Sequence, residues 1–162
     1  MKKGATIAAT IIFILTACTR MPVYHQYRST PIGGWKRADT LCFDVDTIRE
    51  TQTCQLNVGL RTSTAEEYPF LDIYLVVEQE WKKDSATVLL QDTIKYEVTN
   101  NEGDAQGDGI MLRQLSTTIP KTFTYQKGAT GKIKIRHAMN PAKVTGIADV
   151  GVEILPVEYN KE

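Results

Sequence analysis

Long apolar stretches are scarce in this 162-residue chain. The main apolar run up to Cys18, Gly4 to Ala17, has 14 residues, all uncharged. As a helix it would reach about 21 Å, short of the ~30 Å hydrocarbon core, so a stable membrane-spanning anchor is not expected. Neither sign of charge dominates, since 19 basic and 19 acidic side chains cancel. That balance argues against a nucleic-acid partner, which calls for a strongly basic face. Cysteines number three, too few for a disulfide cage, and a chain of this length holds one core without such a cage. Histidines number two, His25 and His137, far apart in the chain. No GxSxG elbow, HExxH pair or GxxxxGK[ST] loop accompanies them. The reading is therefore of a protein that is not an enzyme, with no catalytic residues, no metal and no cofactor. His137 continues the face of Ile133 and Ile135, the position of a histidine hydrogen-bonded at the end of a core strand.

What is present begins with a leader. Lys2 and Lys3 precede an apolar heart from Ile7 to Leu15, the layout of a cleaved secretory signal. The leader ends Leu15-Thr16-Ala17-Cys18, which resembles the bacterial lipobox. Small residues let a peptidase approach the bond before Cys18, whose thiol is the nucleophile that accepts a thioether-linked diacylglycerol. The expected division is a signal peptide over 1–17, a short tether over 18–22 carrying lipidated Cys18, and a single domain over 23–162. Two or three acyl chains, at about 0.8 kcal/mol per buried methylene, hold such a protein durably on a bilayer. Thr19 stands where an Asp would signal inner-membrane retention, and no acidic run follows. An outer-membrane, lipid-anchored protein facing the periplasm is expected. Losing Lys2 and Lys3 leaves 17 basic against 19 acidic side chains, a net charge of −2.

Threonine is abundant, with 20 residues, and β-branched side chains suit a pleated sheet. Alternation of apolar and polar residues is clearest in Thr93 to Val98 and Lys132 to Arg136. Strands are expected near 23–28, 40–46, 53–61, 71–79, 88–99, 110–116, 122–126, 131–138 and 147–154. Breakers such as Pro120 and Asn140-Pro141 separate them, and 138–146 has room for one helical turn. Eight or nine short strands without a helical stripe imply an all-β antiparallel sandwich, jelly-roll or immunoglobulin-like.

Cys42 and Cys54 are candidates for a disulfide in an oxidising periplasm. Against the bond, Cys42 alternates with Leu41, Phe43 and Val45, whereas Cys54 shares the apolar face of Leu56 and Val58. In a regular hairpin over one core the two thiols would point to opposite faces. Asp104-Ala105-Gln106-Gly107-Asp108-Gly109 imitates the start of a calcium loop. Leu115 stands where the bidentate Glu should be, so the stretch reads as a glycine-rich connection. Four Asp-[Ser/Thr]-aliphatic triplets mark Thr40, Thr47, Ser85 and Thr93 as candidate O-glycosylation sites. Trp35 and Tyr68 are candidates for a binding surface.

Several stretches together carry a family resemblance: Tyr24-His25-Gln26-Tyr27-Arg28, Gly34-Trp35, Asp39 to Asp44, Tyr68 to Leu75, Asn101-Glu102-Gly103, Arg136 to Asn140, and Gly146 to Val152. In that order, behind a lipobox, they resemble the gliding-motility-associated GldH lipoproteins of the Bacteroidetes, from about Tyr24 to Glu153. The resemblance implies an outer-membrane accessory protein of the gliding apparatus. It would work alongside the secretion machinery by binding other envelope, gliding or secretion proteins, with no assigned catalytic residues. The alternative from a different class is a glycan-binding β-sandwich that uses Trp35 and Tyr68 as its platform.

Overall fold

The computed structural model describes residues 21–157. The alternating segments become ten strands: β1 (Tyr24–Ser29), β2 (Trp35–Lys36), β3 (Leu41–Val45), β4 (Gln52–Ser63), β5 (Asp72–Lys83), β6 (Ala86–Glu97), β7 (Leu112–Tyr125), β8 (Thr130–His137), β9 (Lys143–Val144) and β10 (Ile147–Pro156). Among the described residues there is no helix. The stretch 138–146, which had room for a helical turn, instead supplies β9, which pairs with β2 in a two-residue ribbon.

Two four-stranded sheets pack face to face, one ordered β1-β10-β4-β7 and the other β3-β8-β5-β6. Every pairing is antiparallel. With the short β2 and β9 set aside, the eight long strands run first–eighth–third–sixth in one sheet. The other sheet runs second–seventh–fourth–fifth. Two interlocked Greek keys of that order make a jelly roll, which decides between the two expected sandwiches. Between the sheets lie Leu56, Val58, Leu60, Val152 and Ile154 from one side and Phe43, Ile73, Leu75, Ile133 and Ile135 from the other, all fully buried. These are the same-face residues of alternating strands, and their burial is the main stabilising term.

The expected strands at 110–116 and 122–126 prove to be one, β7, running through Pro120. Gln55 faces Thr122 while Asn57 faces Thr118, so Ile119, Pro120 and Lys121 bulge opposite Leu56. β7 is a sheet edge, where a bulge accommodates a residue that cannot donate to the ladder. The bulge keeps Ile119 in the core, fully buried.

Strand direction gives the molecule two distinct ends. One carries the start of β1, the end of β10 and the turns at 46–51, 84–85 and 126–129. The other carries the longer connections at 30–40, 64–71, 98–111 and 138–146.

Candidate interaction surfaces

Cys18 and the leader lie outside the described residues. Chain order still bears on them, because the backbone N–H of Val23 already donates to the Ile154 carbonyl at 2.8 Å. The domain therefore begins five residues after Cys18, at the end we call proximal.

The aromatic pair expected on the surface is not there. Trp35 is 0% exposed and Tyr68 8%. Trp35 donates from its indole Nε1 to the Asp39 carbonyl at 2.9 Å, and its ring meets His137 edge-on, with centroids 5.3 Å apart. Tyr68 donates its hydroxyl to the Asp72 carbonyl at 2.8 Å, and burial raises its pKa. A large ring beside a Gly-Gly turn looked like a surface feature. It is instead the plug that closes the distal end of the core, as amphipathic aromatics do when their polar atom finds a backbone partner. The platform built on these two residues is thereby withdrawn.

His137 is buried with both ring nitrogens engaged. Met139 donates its backbone N–H to Nδ1 at 3.3 Å, so Nε2 carries the proton and donates to the Trp35 carbonyl at 3.2 Å. Burial, then Arg37 and Arg136, hold its pKa below the ordinary value, against the pull of the Trp35 carbonyl and Asp39. The neutral imidazole is a structural strut between β8 and the Trp35 segment.

The two candidate disulfide cysteines are free thiols. Cys42 is on β3 of one sheet and Cys54 on β4 of the other. Cys54 is buried while Cys42 is half-buried, so the parity conflict read from the sequence is realised across the two layers. Burial pushes the Cys54 thiol up to about 11.

The glycine-rich connection is held by its own polar groups. Asn100 Oδ1 accepts from the backbone N–H of Glu102 and of Asp104, at 3.0 and 2.7 Å. Gly109 has φ +124°, and a Cβ there would stand 2.1 Å from the Leu112 carbonyl oxygen. Among the described residues no cluster of three or more His, Cys, Asp or Glu side chains is placed to hold a metal ion. The four candidate glycosylation residues, Thr40, Thr47, Ser85 and Thr93, are all exposed.

Large apolar side chains left in solvent gather mainly at the distal end. Ile110 is 91% and Met111 80% exposed, side by side where the glycine-rich connection enters β7. Ile32 and Leu71 are exposed on neighbouring distal connections. A cavity of about 600 Å³ opens beside Leu71, with Tyr68, Phe70, Val98 and Arg113 also in its walls. Met111 is fixed by its carbonyl, which accepts from both the backbone and the hydroxyl of Thr64. A second cavity of about 660 Å³ lies at the proximal end, where edge strands β6 and β7 diverge around Val88, Leu90 and Phe123. Sequence reasoning missed both surfaces. The exposure of Ile110 and Met111 has a local signal, two apolar residues directly after a Gly-Asp-Gly turn.

Comparison with known proteins gives the context. The family model described as GldH lipoprotein matches residues 22–154. The gliding motility lipoprotein GldH of Flavobacterium johnsoniae is 26% identical over 159 residues, covering 94% of this chain and 96% of that relative. Among solved structures, Eiger TNF from S. frugiperda is similar with a TM-score of 0.38 and 8% identity, over 88% of this chain and 99% of that one. A family 16 carbohydrate-binding module is similar with a TM-score of 0.34 and 11% identity, over 82% and 85% of the two chains.

Proposed function

This chain belongs to the GldH lipoprotein family, and from that premise we propose that it is an accessory lipoprotein of the gliding machinery, working alongside the secretion apparatus. It is cleaved before Cys18, acylated there, and held on the outer membrane facing the periplasm. It acts by docking other envelope proteins, and no bond is made or broken by its side chains.

The observation that carries this reading is the opposition of the two ends. Five residue steps from Cys18 to Val23 span at most about 17 Å, so the proximal end stays against the bilayer. A 12-residue strand such as β4 is about 40 Å long and carries the distal loops that far away. There Ile110 and Met111 meet solvent, and exposed apolar side chains of that size favour a protein partner over water. The exposed Thr40, Thr47, Ser85 and Thr93 fit O-glycosylation at one or more of the four hydroxyls.

The test is photo-crosslinking from the acylated protein in intact envelopes, with the crosslinker placed at Met111 or, for comparison, at Ser85 in the proximal turn. Adducts with envelope proteins from 111 and not from 85 are expected, and a Cys18→Ala control should leave the membrane fraction. Equal adducts from both positions, or membrane retention of the control, would count against the reading.

A further inference from the structure

We propose that the outer face of the β1-β10-β4-β7 sheet is a binding site for a saccharide chain. The face is organised as three rungs that cross all four strands. At one side, His25, Glu153, Asn57 and Thr118 stand in register. Asn57 Nδ2 donates to Glu153 Oε2 at 3.1 Å, and Thr118 Oγ1 donates to Asn57 Oδ1 at 2.7 Å. At the other side, Ser29, Asp149, Arg61 and Gln114 do the same. Ser29 Oγ donates to Asp149 Oδ1 at 2.7 Å, and Arg61 Nε donates to Gln114 Oε1 at 3.1 Å.

The rung between them is hollow. Its members are Tyr27, Gly151, Gly59 and Ser116, so no side chain rises from the two central strands. Tyr27 lies down into that space. A Cβ on Gly59 would stand 2.2 Å from the Tyr27 hydroxyl oxygen, and one on Gly151 would stand 2.5 Å from its ring. The Arg61 guanidinium carbon sits 3.8 Å from the ring centre, and His25 meets the ring edge-on at 5.7 Å. Beside the ring is a cavity of about 130 Å³, walled by His25, Asn57, Gln114, Ser116 and Glu153.

The chemistry of this trough selects its ligand. With the Tyr27 ring held between the two glycines and the Arg61 guanidinium, the trough presents planar carboxylate, amide and guanidinium groups at its rim, which match pairs of sugar hydroxyls. Among the described residues Glu153 Oε1, Gln114 Nε2 and Ser116 Oγ have no hydrogen-bond partner, so acceptor and donors both remain for a ligand. Arg61 against Asp149 and Glu153 gives near balance, which does not suit a polyanion or a lipid headgroup surface. Leu112, at the distal end of β7, is the large apolar side chain exposed on this face; the three rungs themselves are polar, so a protein interface gains little there. The opposite outer face has hollows of about 280 and 450 Å³, but its charged groups are paired with one another. Glu80 there pairs with Lys82 and Lys134, Glu78 with Arg136, and Asp44 with Lys132. This site is separate from the distal docking surface and does not rest on it.

The test is isothermal calorimetry of the full mature chain in detergent against neutral gluco-, manno- and galacto-hexaose, with chitohexaose as a separate N-acetylated arm. Binding to at least one chain is expected. Glu153→Gln and Gly59→Ala, the latter lifting Tyr27 from the trough, should each weaken it about tenfold. Glu78→Gln on the opposite face should change nothing. Should Gly59→Ala fail to fold, Glu153→Gln and Gln114→Ala decide alone, with circular dichroism confirming their fold. No heat from any chain at about 10 mM, or binding that none of the trough variants weakens, overturns the proposal.

Discussion

Replacing Trp35 by alanine removes the plug of the distal end. The side chain is 0% exposed. It makes one hydrogen bond through Nε1 to Asp39 and one edge-on contact with His137. Its backbone pairs with Val144 in the β2–β9 ribbon. Truncation of a buried tryptophan costs about 3–5 kcal/mol through lost transfer energy and the cavity left behind. The hydrogen bond, worth about 1 kcal/mol, and the aromatic pair, about 0.5–1.5 kcal/mol, fall largely inside that figure. We therefore expect about 4 kcal/mol for Trp35→Ala and about 2 kcal/mol for Trp35→Phe, which keeps a ring against His137. With a urea m-value of about 2 kcal/mol/M, the alanine variant should shift the unfolding midpoint by about 2 M and Tm by about 12 °C. Equilibrium urea unfolding followed by far-ultraviolet circular dichroism measures this. A loss below about 0.5 kcal/mol, the size typical of surface substitutions, would refute the placement of Trp35 in the core.

Other predictions follow from single groups. The folded pKa of His137 is depressed, so as pH falls below about 6.5 the unfolded chain takes up the proton first and stability drops until the folded value is reached. Tm should fall more steeply through that window than in His137→Gln, and parallel curves would contradict the buried neutral imidazole. With its pKa near 11, Cys54 should resist a maleimide in the native protein and react only on unfolding, while Cys42 reacts first. Equal native rates, or no titratable thiols without reductant, would be the opposing result. Gly109→Ala must hold an alanine at φ +124° with its Cβ 2.1 Å from a carbonyl oxygen. A loss of about 2 kcal/mol is expected, and a neutral effect in thermal unfolding would show that the loop is not held as described.

The fold was legible because its core strands alternate strictly. Ile94 and Tyr96 are buried while Lys95 and Glu97 are exposed, as their period of two requires. Pro120 was read as a break because its missing N–H forbids a central ladder, but on edge strand β7 a bulge absorbs it. Trp35 and Tyr68 stood between core and contact surface, and their burial depends on loops folding back over the open end of a sandwich, which a local window does not reveal. Cys42 and Cys54 differ in burial as their alternation indicates, but across two layers and not within one hairpin, since β3 and β4 belong to different sheets. The Tyr27 trough was invisible for a related reason. Gly59 and Gly151 are 92 positions apart and become neighbours only through the β4–β10 register. The distal apolar loops depend likewise on strand direction, which periodicity does not encode.

A domain that docks its partners from a membrane tether is only as sound as the tether. Intact mass measurement of the protein isolated from its native envelope tests this most directly. The expected product is a chain starting at Cys18 whose mass exceeds that of residues 18–162 by a diacylglycerol, with or without a further acyl group. A chain that retains its leader, or one cleaved without any lipid, would contradict it.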